Sequence, residues 1–152
     1  SSTLYYLAMQ ISDYTGKSII SNGVMTINYL NEHTTATVYC TGGRLFHQSS
    51  FVWYEAVNAV KSYFADVLLF SCCGFSVMNG STEAEEENAA VKRAMSERAR
   101  EKILLCDSTK FAHDYFFEAC AIKTIDRIIT DKRPSDTVVQ ALQGKLIYPE
   151  NK

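Results

Sequence analysis

No apolar run in this sequence reaches the roughly 18 residues that cross a bilayer, and no signal-peptide pattern is visible. The expectation is a cytoplasmic protein that does not meet the membrane. A basic excess is also lacking. Fifteen Lys and Arg stand against 17 Asp and Glu, for a net charge of −2, so the chain as given carries no electrostatic footprint for nucleic acid. Five cysteines (Cys40, Cys72, Cys73, Cys106, Cys120) contain no CxxC pair, and His33, His47 and His113 show no HxH or HxxxH spacing. Neither set makes a zinc motif, and the cysteines read as buried thiols of a reducing compartment. GxGxxG, GxxxxGK[ST] and GxSxG are all missing, which removes the dinucleotide, P-loop and nucleophile-elbow classes. Neither a cofactor nor a metal is expected.

What remains is an ordinary globular composition, 47% hydrophobic and 21% charged over 152 residues. A chain of this length buries roughly 70% of its unfolded surface, enough for one domain with its own core. Short apolar runs alternate with helical patterns. Ser18–Ile20, Ala36–Cys40, Val67–Phe70, Ile103–Cys106, Arg127–Thr130 and Lys145–Tyr148 read as strands. The Val67 and Ile103 runs lack alternation, as strands covered on both faces do. Helices are predicted from about Ser2 to Tyr14 with Gly16 as C-cap, after Asn22-Gly23, from Trp53 to Phe64, and from Ser135 to Gly144. A further helix begins after Thr82, where Thr82 and Glu85 suggest a capping box and Val91, Met95 and Ala99 a core-facing stripe. Alternating strands and helices predict an α/β fold, Rossmann-like, with a mainly parallel sheet and helices on both faces.

In such sheets ligands bind outside the carboxyl ends of the strands. The loops there are "SST" (1–3), "SNG" (21–23), "TGG" (41–43), "CCGFSVMNGST" (72–82) and "DSTK" (107–110). Ser2 and Thr3, at a helix start, offer hydroxyls and free amides to an anion, or simply cap the helix. Lys110 offers a point charge to the same anion, or is a solvated lysine. Asp107 accepts a sugar hydroxyl or caps a turn. Glu85, Glu86 and Glu87 suit the positive end of a helix dipole better than general-base work.

Taken in order, these loops resemble the effector domain of DeoR-type bacterial transcriptional repressors of sugar metabolism. The resemblance runs from Ser1 to about Leu142. It is most specific in "NGSTEAEEENAAVKRAM" followed by "ILLCDSTKF", and extends to "SSTLYYLA", "SNGV", "VYCTGGRL" and "IDRIITD". It implies a fold similar to ribose-phosphate isomerase, glucosamine-phosphate deaminase and the CoA transferases. A phosphorylated sugar would be the effector, altering operator binding by the intact protein. Carried over by position, Ser2, Thr3 and Lys110 would hold the phosphate. Asn22, Gly42, Gly43, Gly74, Thr82, Glu87 and Asp107 would line the sugar. Six positions depart from the family pattern: Ser1 and Trp53 stand where glycine is usual, Leu4 where a second threonine is often found, Cys73 where Asp or Asn is usual, and Glu85 and Asn88 also differ. The resemblance further implies an N-terminal winged helix-turn-helix and a first strand, both outside this chain, with operator DNA reached only through that domain, and a homo-oligomer, dimer or higher.

The rival is a sugar-phosphate isomerase or deaminase on the same fold. Isomerisation needs a base beside the carbonyl. The turn Ser71–Ser76, which is Asp-rich in the isomerases, contains no carboxylate here. The expectation is therefore a sensor and not an enzyme.

Overall fold

In the computed structural model, residues 2–150 are described; Ser1, the first residue of the "SST" loop, lies outside them. The chain forms two compact units, Ser1–Tyr63 and Phe64–Lys152.

The first unit opens with α1 (Ser2–Gln10), then β1 (Ser18–Ser21), α2 (Val24–His33) and β2 (Thr37–Cys40). β1 and β2 pair in parallel, Ile19 beside Val38. α1 stops at Gln10, earlier than the periodicity predicts. Asp13 accepts the Thr15 amide at 2.8 Å and the Tyr14 carbonyl accepts the Lys17 amide at 3.1 Å, so the chain turns before Gly16 instead of continuing as helix. Gly16, at φ +67°, belongs to that turn and is not a helix cap. Ala8, Tyr14 and Leu30 form a small core, in which the Tyr14 hydroxyl donates to the Ala8 carbonyl at 2.7 Å. A hairpin of β3 (Arg44–Phe46) and β4 (Ser50–Val52) and then α3 (Tyr54–Lys61) complete the unit.

The second unit holds a four-stranded parallel sheet. Its strands are β5 (Ala65–Ser71), β8 (Ala99–Leu105), β10 (Arg127–Ile129) and β11 (Leu146–Ile147), in the order β11-β10-β8-β5. Leu68, Phe70, Leu104, Ile125, Ile128 and Leu142 are buried together. Each such side chain contributes on the order of 1.5–3 kcal/mol by leaving water. Between β5 and β8 run β6 (Gly74–Ser76), β7 (Gly80–Glu83) and α4 (Glu86–Glu97). β9 (Phe117–Cys120) follows β8, and α5 (Asp136–Ala141) precedes β11. β6, β7 and β9 form a separate antiparallel sheet.

The architecture is mixed α/β, and its parallel strands fall on the predicted segments. Two local expectations are corrected. Thr82 is not a helix cap: it lies in β7, its hydroxyl accepts the Tyr115 amide at 2.9 Å, and α4 begins only after Glu85, whose side chain caps nothing. The core face of α4 is Ala89, Val91 and Ala94 with Met95 partly buried against the core, as expected of Val91 and Met95, whereas Ala99 packs on that core from β8 and not from the helix.

Candidate functional site

The carboxyl ends of β5, β8 and β10 lie side by side, because Ser71 pairs with Leu105 and Leu105 with Ile129. "CDSTKF" leaves the middle strand. Buried Cys106 ends it, and Asp107 caps a single 3-10 turn, Ser108–Lys110. The Asp107 carboxylate accepts the Thr109 amide at 3.1 Å and also the Thr109 hydroxyl. The Lys110 ammonium stands 3.3 Å from the other Asp107 oxygen, with its side chain 24% exposed. The Thr109 hydroxyl first, then its amide and Lys110, hold Asp107 below the usual carboxylate range.

That shift decides what the loop can do. Thr109 bonded to a carboxylate has the outline of a nucleophile with its base. A carboxylate whose charged form is this well satisfied is a weak base, so the arrangement favours binding over proton abstraction. It presents a positioned cation beside an acceptor, the pair that a phosphate and a hydroxyl require.

Reading from the sequence alone misses Asp131. Its carboxylate accepts the Ser108 amide at 2.6 Å and the Ser108 hydroxyl at 3.3 Å, and those bonds, the amide foremost, lower its pKa. With Ile129 level with Leu105, Asp131 falls level with Asp107, a register that the sequence alone does not give. The same reading misses Glu83 and Lys92. Glu83 is 3% exposed and bonds the Lys92 ammonium at 2.5 Å, beside the turn that follows β5.

In that turn Gly74 is buried, and its close approach is to protein. A Cβ there would stand 2.2 Å from the His113 carbonyl oxygen and 2.9 Å from the Tyr115 ring. The Thr82 carbonyl accepts the Cys73 amide at 3.1 Å. Glu87 lies in the first turn of α4, partly buried. Cys72 and Cys106 sit 3.9 Å apart, sulfur to sulfur; their hydrogen bond and then burial push the Cys106 thiol far above its ordinary range. Burial, then the neighbouring Glu83 carboxylate, push the Cys73 thiol up as well.

In the first unit Ser2 and Thr3 open α1, Ser2 exposed and Thr3 partly buried. At the carboxyl end of β1 the Asn22 side-chain amide donates from Nδ2 to the Phe51 carbonyl at 3.0 Å, while the Phe51 backbone amide donates to the Asn22 backbone carbonyl at 2.7 Å. These bonds fasten the β3–β4 hairpin to the loop. Past β2, Gly42 and Gly43 both have positive φ. A Cβ on Gly43 would lie 2.5 Å from the Val52 carbonyl oxygen, while Gly42 faces open space. An open cavity of about 460 Å³ is lined by Tyr14, Tyr29, Glu32 and His33 among others, but by none of the predicted site residues. Among the described residues no cluster of His, Cys, Asp and Glu could hold a metal ion, and no helix is long and apolar enough to cross a membrane.

Parallel strands whose carboxyl-end loops carry a held cation and acceptors define the class: an α/β module with its polar loops gathered at strand ends, where such folds take ligands. Residues 1–132 match the family model of the DeoR C terminal sensor domain, and the chain belongs to that family. Curated relatives agree. The uncharacterized HTH-type transcriptional regulator YulB of Bacillus subtilis (strain 168) is 30% identical over 97% of this chain and 57% of its own length. The HTH-type transcriptional repressor GlcR of the same organism is 29% identical over 82% of this chain and 48% of its own length. The L-fucose operon activator of Haemophilus influenzae (strain ATCC 51907 / DSM 11121 / KW20 / Rd) is 26% identical over 91% of this chain and 55% of its own length. The chain thus spans about half the length of the curated relatives it matches. All three are named as regulators of transcription or of an operon, and none as an enzyme.

Proposed function

We propose that this chain is the effector-sensing domain of a bacterial transcriptional repressor of sugar metabolism, and that its effector is a phosphorylated sugar. One observation carries the reading: Lys110 and Asp107 are held together at the end of a buried parallel strand, in a loop matching a sensor-domain family. In the second unit Lys110 supplies a charge for the phosphate; in the first, Ser2 and Thr3 offer hydroxyls and amides to it. Asp107 accepts a sugar hydroxyl. Asn22, Gly42, Gly43, Gly74, Thr82 and Glu87 complete the sugar's surroundings. Gly74 and Thr82 do so by shaping the turn, since their own contacts are with protein.

The rest of the reading concerns the intact protein. An HTH domain, named in two of the relatives, reaches operator DNA. The sensor fold is of the kind seen in ribose-phosphate isomerase, glucosamine-phosphate deaminase and the CoA transferases. The regulator works in the cytoplasm as a dimer or higher oligomer, an arrangement suited to repeated half-sites. The effector acts by binding one arrangement of the regulator better than another. Relatives named as repressor and as activator leave the sign of the effect to an operator-binding assay.

A thermal-shift panel of aldose and ketose phosphates tests the reading. A ligand at 100 times its Kd adds about 2.7 kcal/mol of stability. At least one phosphosugar is expected to raise Tm. Lys110→Ala and the double variant Ser2→Ala/Thr3→Ala are expected to abolish that rise without lowering the ligand-free Tm. A flat panel sinks the sensor reading. Turnover of a sugar phosphate that is lost in Glu87→Gln would move the protein to the enzymes.

A further inference from the structure

The turn that closes β5 is gripped by side chains from two other elements. Glu83, on β7, is one of few charged residues in the core. A carboxylate there is tolerated only with a cation and donors around it. It has them. One oxygen accepts the Lys92 ammonium at 2.5 Å and the Cys73 amide at 3.3 Å; the other accepts the Cys73 thiol at 3.3 Å. Lys92, on α4, also donates to the Ser71 carbonyl at 2.6 Å. One ion pair therefore holds the residues on both sides of Cys72, Ser71 by its carbonyl and Cys73 by its amide.

We propose that Glu83 and Lys92 are positioning residues for the effector site. They fix the Ser71–Gly74 turn, so that the exposed Cys73 meets the sugar in a preset orientation. This rests on the sensor reading above. Two arguments favour it over plain stabilisation. A buried ion pair seldom adds net stability over apolar side chains of the same volume. What it does provide is charge-assisted bonds of defined direction, and here they run to two backbone atoms of a strand-end turn. The placement also shows what fills the position opened by the missing acid at Cys73. A carboxylate is present, brought by β7, but both of its oxygens are engaged, so it works as a strut and not as a base.

The test uses the full chain and the phosphosugar giving the largest shift in the panel, with inorganic phosphate as second probe. Glu83→Gln and Lys92→Met are expected to weaken phosphosugar binding about tenfold, the scale of loss when support for a site is removed. Binding of inorganic phosphate should change less than threefold, a split that general loosening of the fold does not produce. Glu83→Leu/Lys92→Met guards against misfolding, because an apolar pair can replace the ion pair without loss of stability. It should keep the wild-type Tm and still bind the phosphosugar about tenfold more weakly. Wild-type phosphosugar affinity in that double variant, or equal weakening of both probes, overturns the positioning role alone. A wild-type chain that binds no phosphosugar overturns the sensor reading, and this proposal with it.

Discussion

The two units place their strand-end loops by different means. In the first, the loops after β1 and β2 are neutral, and they are fixed by uncharged hydrogen bonds to a hairpin, one from a side-chain amide, and by unusual φ angles. Asn22 exchanges two bonds with Phe51, and Gly42, Gly43 and Trp53 all have positive φ. In the second unit the corresponding loops are fixed by charge: Asp107 with Lys110, Asp131 with Ser108, and Glu83 with Lys92. A loop held by backbone geometry is insensitive to pH but intolerant of side chains. A loop held by carboxylates answers to protons, although the turn at Gly74 is as closed to side chains as that at Gly43.

The largest expected effect compares the two cores. Leu104→Ala, in the large cluster of the second unit, should cost about 3 kcal/mol in urea denaturation. Leu30→Ala empties a site in a cluster of three buried residues that can close more easily, and should cost about 2 kcal/mol. Equal losses would erase the distinction. Next comes the strain in the first unit. Trp53 stands at φ +84°, ψ −177°, a region that glycine alone occupies freely. Trp53→Gly is expected to raise stability by about 1 kcal/mol, after the loss of the Arg44 cation–π contact at 5.2 Å.

The third prediction isolates the charges. The pKa values of Asp107 and Asp131 are lowered in the folded state, so their contribution is complete above the unfolded value near 4. It is lost as pH falls from there through the folded values. Asp131→Asn should therefore lower Tm at pH 7, and the gap to wild type should close below about pH 4. A gap unchanged by acid would show that the loop does not depend on the charge. The smallest effect is at the surface. Arg100 and Asp66 are 87% and 91% exposed, and Arg100→Ala should leave Tm unchanged within error.

The parallel strands were legible in the sequence because buried strands are written as unbroken apolar runs, as in Val67–Phe70 and Ile103–Leu105. The small antiparallel strands were not. Gly80–Glu83 reads "GSTE", which carries no hydrophobic signal, although all four residues are buried. Its hydrogen bonds, from the Tyr115 amide to Thr82 and from Lys92 to Glu83, come from segments distant along the chain. For the same reason Thr82 and Glu85 looked like a capping box when read locally. At the candidate site, the loop residues followed from strand-end position and family likeness. The residues that orient them, Asp131 and Glu83, followed only from strand register and from the fold of β7 against α4. That Trp53 takes a φ which glycine prefers is a tertiary outcome that one sequence could not reveal.

The distribution of thiols has a practical consequence. Cys72, Cys106 and Cys120 are buried, and burial leaves them slow to alkylate; Cys40 and Cys73 are exposed, one in each unit. A maleimide should therefore mark Cys40 first, while Cys73, whose thiol donates to Glu83 and whose pKa is pushed up, reacts more slowly. Protection of Cys73 from alkylation as effector is titrated in would report occupancy of the proposed site, and the unaltered sensor would carry its own footprinting label.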